Sequence, residues 1–142
     1  MRKIKFLPVL CALLFMLANS CSNDKNDYVW KTREVTASAY NSVRSQTANH
    51  PSLAAWGDTL RPGMKVIAVS RDLIPLGLDY NAQVKIEGLD GIYLVKDKMH
   101  YRWANRIDIY MGKDIAKAKN WGRKKLKIEF RVKKDKAQNT KK

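Results

Sequence analysis

Lys125-Leu126-Lys127-Ile128-Glu129-Phe130-Arg131-Val132 alternates charged and apolar side chains without a break. Such strict period-two spacing marks a β-strand with one wet face, and it sends Leu126, Ile128, Phe130 and Val132 to the buried side. Working back from it, residues 113–120 read as a short helix ended near Trp121-Gly122, and Arg106-Ile107-Asp108-Ile109-Tyr110-Met111 as a further strand. Gln83-Val84-Lys85-Ile86-Glu87 alternates and is bounded by Gly88; Asp90-Gly91 then leads into Ile92-Tyr93-Leu94-Val95, a hairpin signal. Ile74-Pro75-Leu76-Gly77 is a constrained turn, and Pro62-Gly63 precedes the strand Met64-Lys65-Val66-Ile67-Ala68-Val69-Ser70. Residues 34–40 are β-rich, whereas residues 41–58 form a polar loop longer than small domains carry without a function. So many short strands must hide their edges, so the expected fold is mainly β: a small closed six-stranded barrel with one or two short helices.

The beginning of the chain has a different character. Met1-Arg2-Lys3-Ile4-Lys5 is basic, residues 6–17 are almost wholly apolar, and Ala18-Asn19-Ser20-Cys21 ends this stretch on a cysteine. The apolar run is short for a permanent membrane helix, and the whole reads as a lipoprotein signal over residues 1–20 with Cys21 as the lipidated first residue. Residues 21–32 are then the lipidated N-terminus and linker, 33–132 the barrel domain, and 133–142 a basic disordered tail. Of the 2 cysteines, Cys11 leaves with the signal and Cys21 carries lipid, so no thiol chemistry is expected in the domain. The expected location is the bacterial cell envelope, lipid-anchored in the outer membrane because Ser22 is not the aspartate that favours inner-membrane retention.

Charge points the same way. The 28 basic residues far outnumber the 13 acidic ones, giving a net charge of +15. In an exported chain this excess faces phospholipid headgroups, lipopolysaccharide and peptidoglycan carboxylates, so nucleic acid is not an expected partner. The protein is expected to be a monomer attached to the membrane through its lipid anchor. There is no Ser/His/Asp triad and no glycine-rich phosphate loop; His50 and His100, the only histidines, lack metal-ligand spacing. Neither a metal nor a cofactor is expected. That leaves carboxylates: alternation puts Tyr93, Val95 and Asp97 on one strand face, and turns Asp108 away from Ile107 and Ile109. A rigidly held Asp108 suits acid/base work if its surroundings raise its pKa; the alternative is an ion pair with Arg102, Arg106 or Lys98.

Taken in order, these pieces resemble the three-aspartate (3D) domain family, double-psi β-barrels related to the C-terminal domain of membrane-bound lytic transglycosylase A. Val35-Thr36-Ala37-Ser38-Ala39-Tyr40 resembles the family's opening, and residues 67–77, ending Ile74-Pro75-Leu76-Gly77, its second block. Asp97 and Asp108, the latter within Asn105-Arg106-Ile107-Asp108, keep the aspartate spacing of the third, and Trp121-Gly122-Arg123 resembles the close. Ser70 stands where the family has its first aspartate, and bulky residues 98–104 replace a glycine-rich run. The resemblance implies lytic-transglycosylase-like cleavage of peptidoglycan glycan strands with Asp108 as sole acid/base and Asp97 supporting it. The same resemblance admits a non-catalytic polysaccharide-binding module. Trp103 and Tyr101 would stack on sugars, Arg102 would meet a peptide carboxylate, and Trp56 and Gln46 would form the other wall. Tyr40 and Ser70 complete the expected substrate-binding set.

Overall fold

A computed structural model describes residues 27–43 and 50–134. The expectations for the signal, Cys21, Gln46 and the tail beyond residue 134 lie outside the described residues. Six strands form: β1 (Tyr28–Tyr40), β2 (Val66–Val69), β3 (Gln83–Ile86), β4 (Tyr93–Lys98), β5 (Arg106–Tyr110) and β6 (Lys124–Lys133). A 3-10 helix, Arg71–Leu76, follows β2, and a short helix α1, Ile115–Trp121, precedes β6. The strands close into a barrel in the order β1-β5-β2-β4-β3-β6, so the expected mainly-β closed barrel is present. β1 runs parallel to β5 and β2 parallel to β4; the other contacts are antiparallel.

Alternation accounts for the interior. Leu126, Ile128 and Phe130 are buried along β6, and Val35, Ala37, Ile67, Val69, Val84, Val95, Ile107 and Ile109 meet them inside. Each large apolar side chain fully withdrawn from water contributes roughly 1.5–3 kcal/mol before entropy is charged against it. The Asn105 backbone adopts the left-handed region (φ 51) just before β5. That conformation is held from three sides: Asn105 N–H donates to Asp72 Oδ2 at 2.9 Å, its side chain accepts from Arg33 Nε at 2.7 Å, and its amide donates to Glu34 O.

Two boundaries differ from the sequence reading. β1 begins at Tyr28, inside the segment expected as linker, because β6 supplies ladder partners from Val35↔Leu126 out to Tyr28↔Lys133. Lys133 is correspondingly the last residue of a strand rather than the first of a tail. This outer ribbon buries little, so hydrophobic patterning gave no sign of it.

A third difference matters more. β4 pairs Val95 with Ile67 of β2, then skips Lys96 and pairs Asp97 with Ala68. This β-bulge breaks the alternation, as an extra residue must. Val95 stays in the core, but Asp97 does not follow it inward; it joins the opposite face. The expectation that Tyr93, Val95 and Asp97 share a face is therefore corrected at Asp97.

Gly77 ends the 3-10 helix with φ 108, and its N–H closes the last turn on Ile74 O. A Cβ here would run into Cγ1 of Val132, besides forcing a side chain into left-handed backbone. Gly77→Ala should cost about 2 kcal/mol or more. The measurement is denaturant unfolding; an unchanged midpoint would contradict the tight approach of this turn to β6.

Candidate functional site on the outer face of the barrel

Because β5 alternates, Ile107 and Ile109 point inward and Arg106, Asp108 and Tyr110 outward. Register then extends a row across four strands. Asp108 lies opposite Ser38 of β1 on one side and Ala68 of β2 on the other, and Ala68 lies opposite Asp97 of β4. The two aspartates thus flank one small side chain, two strand spacings apart, or about 10 Å between backbones. Two residue pairs further along, Tyr40 and Tyr110 sit opposite each other with ring centroids 5.5 Å apart.

The loop before β2 folds over this end of the row. Its Leu53↔Thr59 bridge narrows it, and Ala54 and Leu60 pack against Val66, Tyr110 and Tyr40 in a second, smaller apolar cluster. Asp97 ties the loop down: its Oδ1 accepts N–H groups from Ala55 at 2.7 Å and Lys98 at 2.8 Å, and Tyr40 donates to its Oδ2 at 3.5 Å. Asp97 is therefore a bonded anchor that faces Asp108 only as a neighbouring charge.

Asp108 is placed differently. It is partly buried, it forms no ion pair among the described residues, and its Oδ1 is buried without a hydrogen-bond partner. The ion-pair alternative for this residue is not what the structure contains. Burial lifts its pKa from 3.8 to about 6; Asp97 adds to the rise, while Ser38, Arg106 and Arg123 oppose it. Burial and the two carboxyls also hold the Tyr40 phenol far above its ordinary value, so Tyr40 is a standing donor beside them. The arrangement can keep and surrender a proton near neutral pH, which an exposed aspartate cannot.

The other expected residues distribute around this row. On one side Arg106 stacks on Trp103, its guanidinium carbon 4.0 Å from the ring centre, and Arg102 lies 4.8 Å from the same ring. On the other, Trp56 rests against Tyr80 with Lys98 at 4.6 Å, while Lys96 pairs with Asp58 at 3.0 Å and lies over Tyr80. Tyr101 is exposed against His100. Ser70 is corrected as a ligand-binding residue. It is fully buried, its hydroxyl accepts the Arg106 N–H at 2.9 Å, and it secures the end of β2 to β5. Asp72 nearby is taken up by the Asn105 N–H.

Arg106, Ser38 and Tyr110 belong to the row, yet the sequence reading gave them no binding role. The signal was present, since the alternation that turns Asp108 outward turns Arg106 and Tyr110 outward too. Two cavities lie elsewhere: one of about 310 Å³ is lined by Thr32, Ile86 and Lys127 among others, and one of about 200 Å³ touches the row only through Tyr110. Among the described residues no cluster of His, Cys, Asp and Glu is placed to hold a metal, and no helix is long and apolar enough to cross a membrane. Compared with protein-family models and with curated protein sequences, the chain matches none.

The raised Asp108 pKa has a stability consequence. The folded state holds this proton more tightly than the unfolded chain, so the carboxyl carries no penalty below its ordinary pKa. It destabilises progressively as pH rises through about 6. Asp108→Asn should therefore stabilise the protein at about pH 8, on the order of 2 kcal/mol, and lose that advantage below about pH 4. Unfolding at both pH values checks this, and a carboxyl NMR titration should place the wild-type midpoint near 6.

Proposed function

We propose that the protein is a cell-envelope lipoprotein that cleaves peptidoglycan glycan strands in the manner of a lytic transglycosylase, with Asp108 as its acid/base. The observation that carries this reading is the Asp108 carboxyl: set at a strand centre on the outward side of β5, partly buried, with one oxygen unpartnered and its proton held to about pH 6. Resemblance to the 3D domain family adds the substrate class. The signal-peptide pattern and Cys21 add the compartment.

The chemistry needs one carboxyl. Protonated Asp108 gives its proton to the glycosidic oxygen as the bond from that oxygen to C1 of the muramic residue breaks. The resulting carboxylate then takes the proton from the same sugar's 6-hydroxyl, whose oxygen closes on C1 as a 1,6-anhydro ring. Water is not activated, so no second carboxylate at hydrolase spacing is required. Asp97 serves by holding the loop and raising the Asp108 pKa, and Tyr40 by donating its hydrogen bond to Asp97. Trp103 and Trp56 stand on either side, each with a cation already against its ring.

One observation favours a non-catalytic glycan-binding module instead. Ser70, at the position of the family's first aspartate, is buried and fully engaged, so the face carries two carboxyls and not three. Digestion of purified sacculi separates the two readings. The catalytic reading expects wild type to release 1,6-anhydromuropeptides, with Asp108→Asn reducing the rate by about 10²-fold or more and Asp97→Asn by less. No release by wild type, or equal release by Asp108→Asn, rules catalysis out. Co-sedimentation with sacculi that survives the substitution then selects the binding module.

A further inference from the structure

Arg106 has a more unusual environment than Asp108. Only 8% of it is exposed, yet among the described residues its Nε has no hydrogen-bond partner, and its guanidinium makes one long bond, to the Ser38 hydroxyl at 3.4 Å. No carboxylate lies within ion-pair distance of it among the described residues. A guanidinium withdrawn from water without an anion costs several kcal/mol in most proteins, and such groups are normally paired.

Its surroundings sharpen the imbalance. Burial and the like charge of Arg123, which follows α1, pull the Arg106 pKa down, and Asp108 only partly offsets them. Arg106 thus feels the charge of a second cation next to a carboxyl that is itself inclined to stay neutral. Stacking on Trp103 takes up a face of the planar guanidinium and not its N–H edge, the part that bonds an oxyanion at two points. Arg102, which the sequence reading assigned to a peptide carboxylate, is exposed beyond Trp103 and lacks this desolvated setting.

We propose that Arg106, reinforced by the charge of Arg123, forms an oxyanion-binding site beside Asp108 that receives a carboxylate of the bound ligand. This rests on the peptidoglycan reading only for the source of the carboxylate, the peptides borne by the glycan. Occupation has a consequence for the acid. The groups facing Asp108 are Ser38 and Tyr40 of β1, Arg106 and Tyr110 of β5, Asp97 of β4 and Arg123 after α1. Of these, only the two arginines are cations that draw its proton away. An anion bound at Arg106 offsets that pull, so ligand binding itself readies the acid.

The test uses the full-length protein and titrates acetate, inorganic phosphate, and a peptide with a free or an amidated C-terminus, followed by NMR. Saturable binding is expected for the carboxylates, lost on amidation and weakened about tenfold by Arg123→Gln. Arg106→Lys, which keeps the charge but not the fork, should weaken it too, whereas Lys31→Gln at the far end of β1 should leave it unchanged. The Asp108 midpoint should rise on saturation with acetate. The inference is overturned by absent binding, by equal loss in Lys31→Gln, by full binding in Arg123→Gln, or by an Asp108 midpoint that stays put. Preference for phosphate with no effect of amidation overturns the carboxylate assignment. Binding that persists while sacculi remain uncut would refute the catalytic reading and leave this site standing; Asp108-dependent cutting without carboxylate binding would do the reverse.

Discussion

Every strand edge in this small protein has to be paired, and β1 is the strand that makes this possible. It accepts β5 in parallel along its second half and β6 antiparallel along most of its length, closing the sheet on itself. A four-residue strand such as β2 could not survive at an open edge; enclosed between β4 and β5, all its residues are buried. The same closure fixes the register that lines up Ser38, Asp108, Ala68 and Asp97. The outer row is thus a by-product of making a core. What adjusts it is the bulge at Lys96, which spends one residue of ladder regularity to put a second carboxyl on the outer face.

Much of the architecture was legible because alternation and burial obey one rule. β6 and β5 announced their inner faces residue by residue, and the outward turn of Asp108 followed directly. The Asp97 side was not legible. Nothing in Tyr93-Leu94-Val95-Lys96-Asp97 distinguishes a regular strand from a bulged one, since the bulge arises from how β4 meets β2 rather than from local preference. Ser70 escaped for a related reason. A serine at a strand end reads as polar and accessible, and only the assembled barrel shows its hydroxyl closed against the Arg106 backbone. The reach of β1 back to Tyr28 was invisible because a two-stranded ribbon open to solvent leaves no hydrophobic period.

The electrostatic arrangement is uneven in an instructive way. The chain carries a large positive excess, yet among the described residues only Lys85–Glu129 and Lys96–Asp58 form ion pairs. Other cations lie against aromatic rings: Lys98 on Trp56, Arg106 on Trp103, Lys124 on Trp121 and Arg131 on Tyr28. A ring face attracts a cation without neutralising it. Such cations keep their fields for whatever approaches, and the aspartates sit in that field with one carboxyl bonded and the other held back from ionising.

The outer ribbon of β1 and β6 also acts as a ruler. Tyr28 pairs with Lys133, and Lys134 N–H bonds Asp27 O at 2.7 Å, so the chain enters and leaves the described structure side by side. Ser38, the neighbour of Asp108, lies ten residues along β1 from Tyr28, about 30 Å at the rise of an extended strand. Anything attached ahead of Asp27 therefore holds the acidic row at arm's length. That stand-off is set by strand pairing.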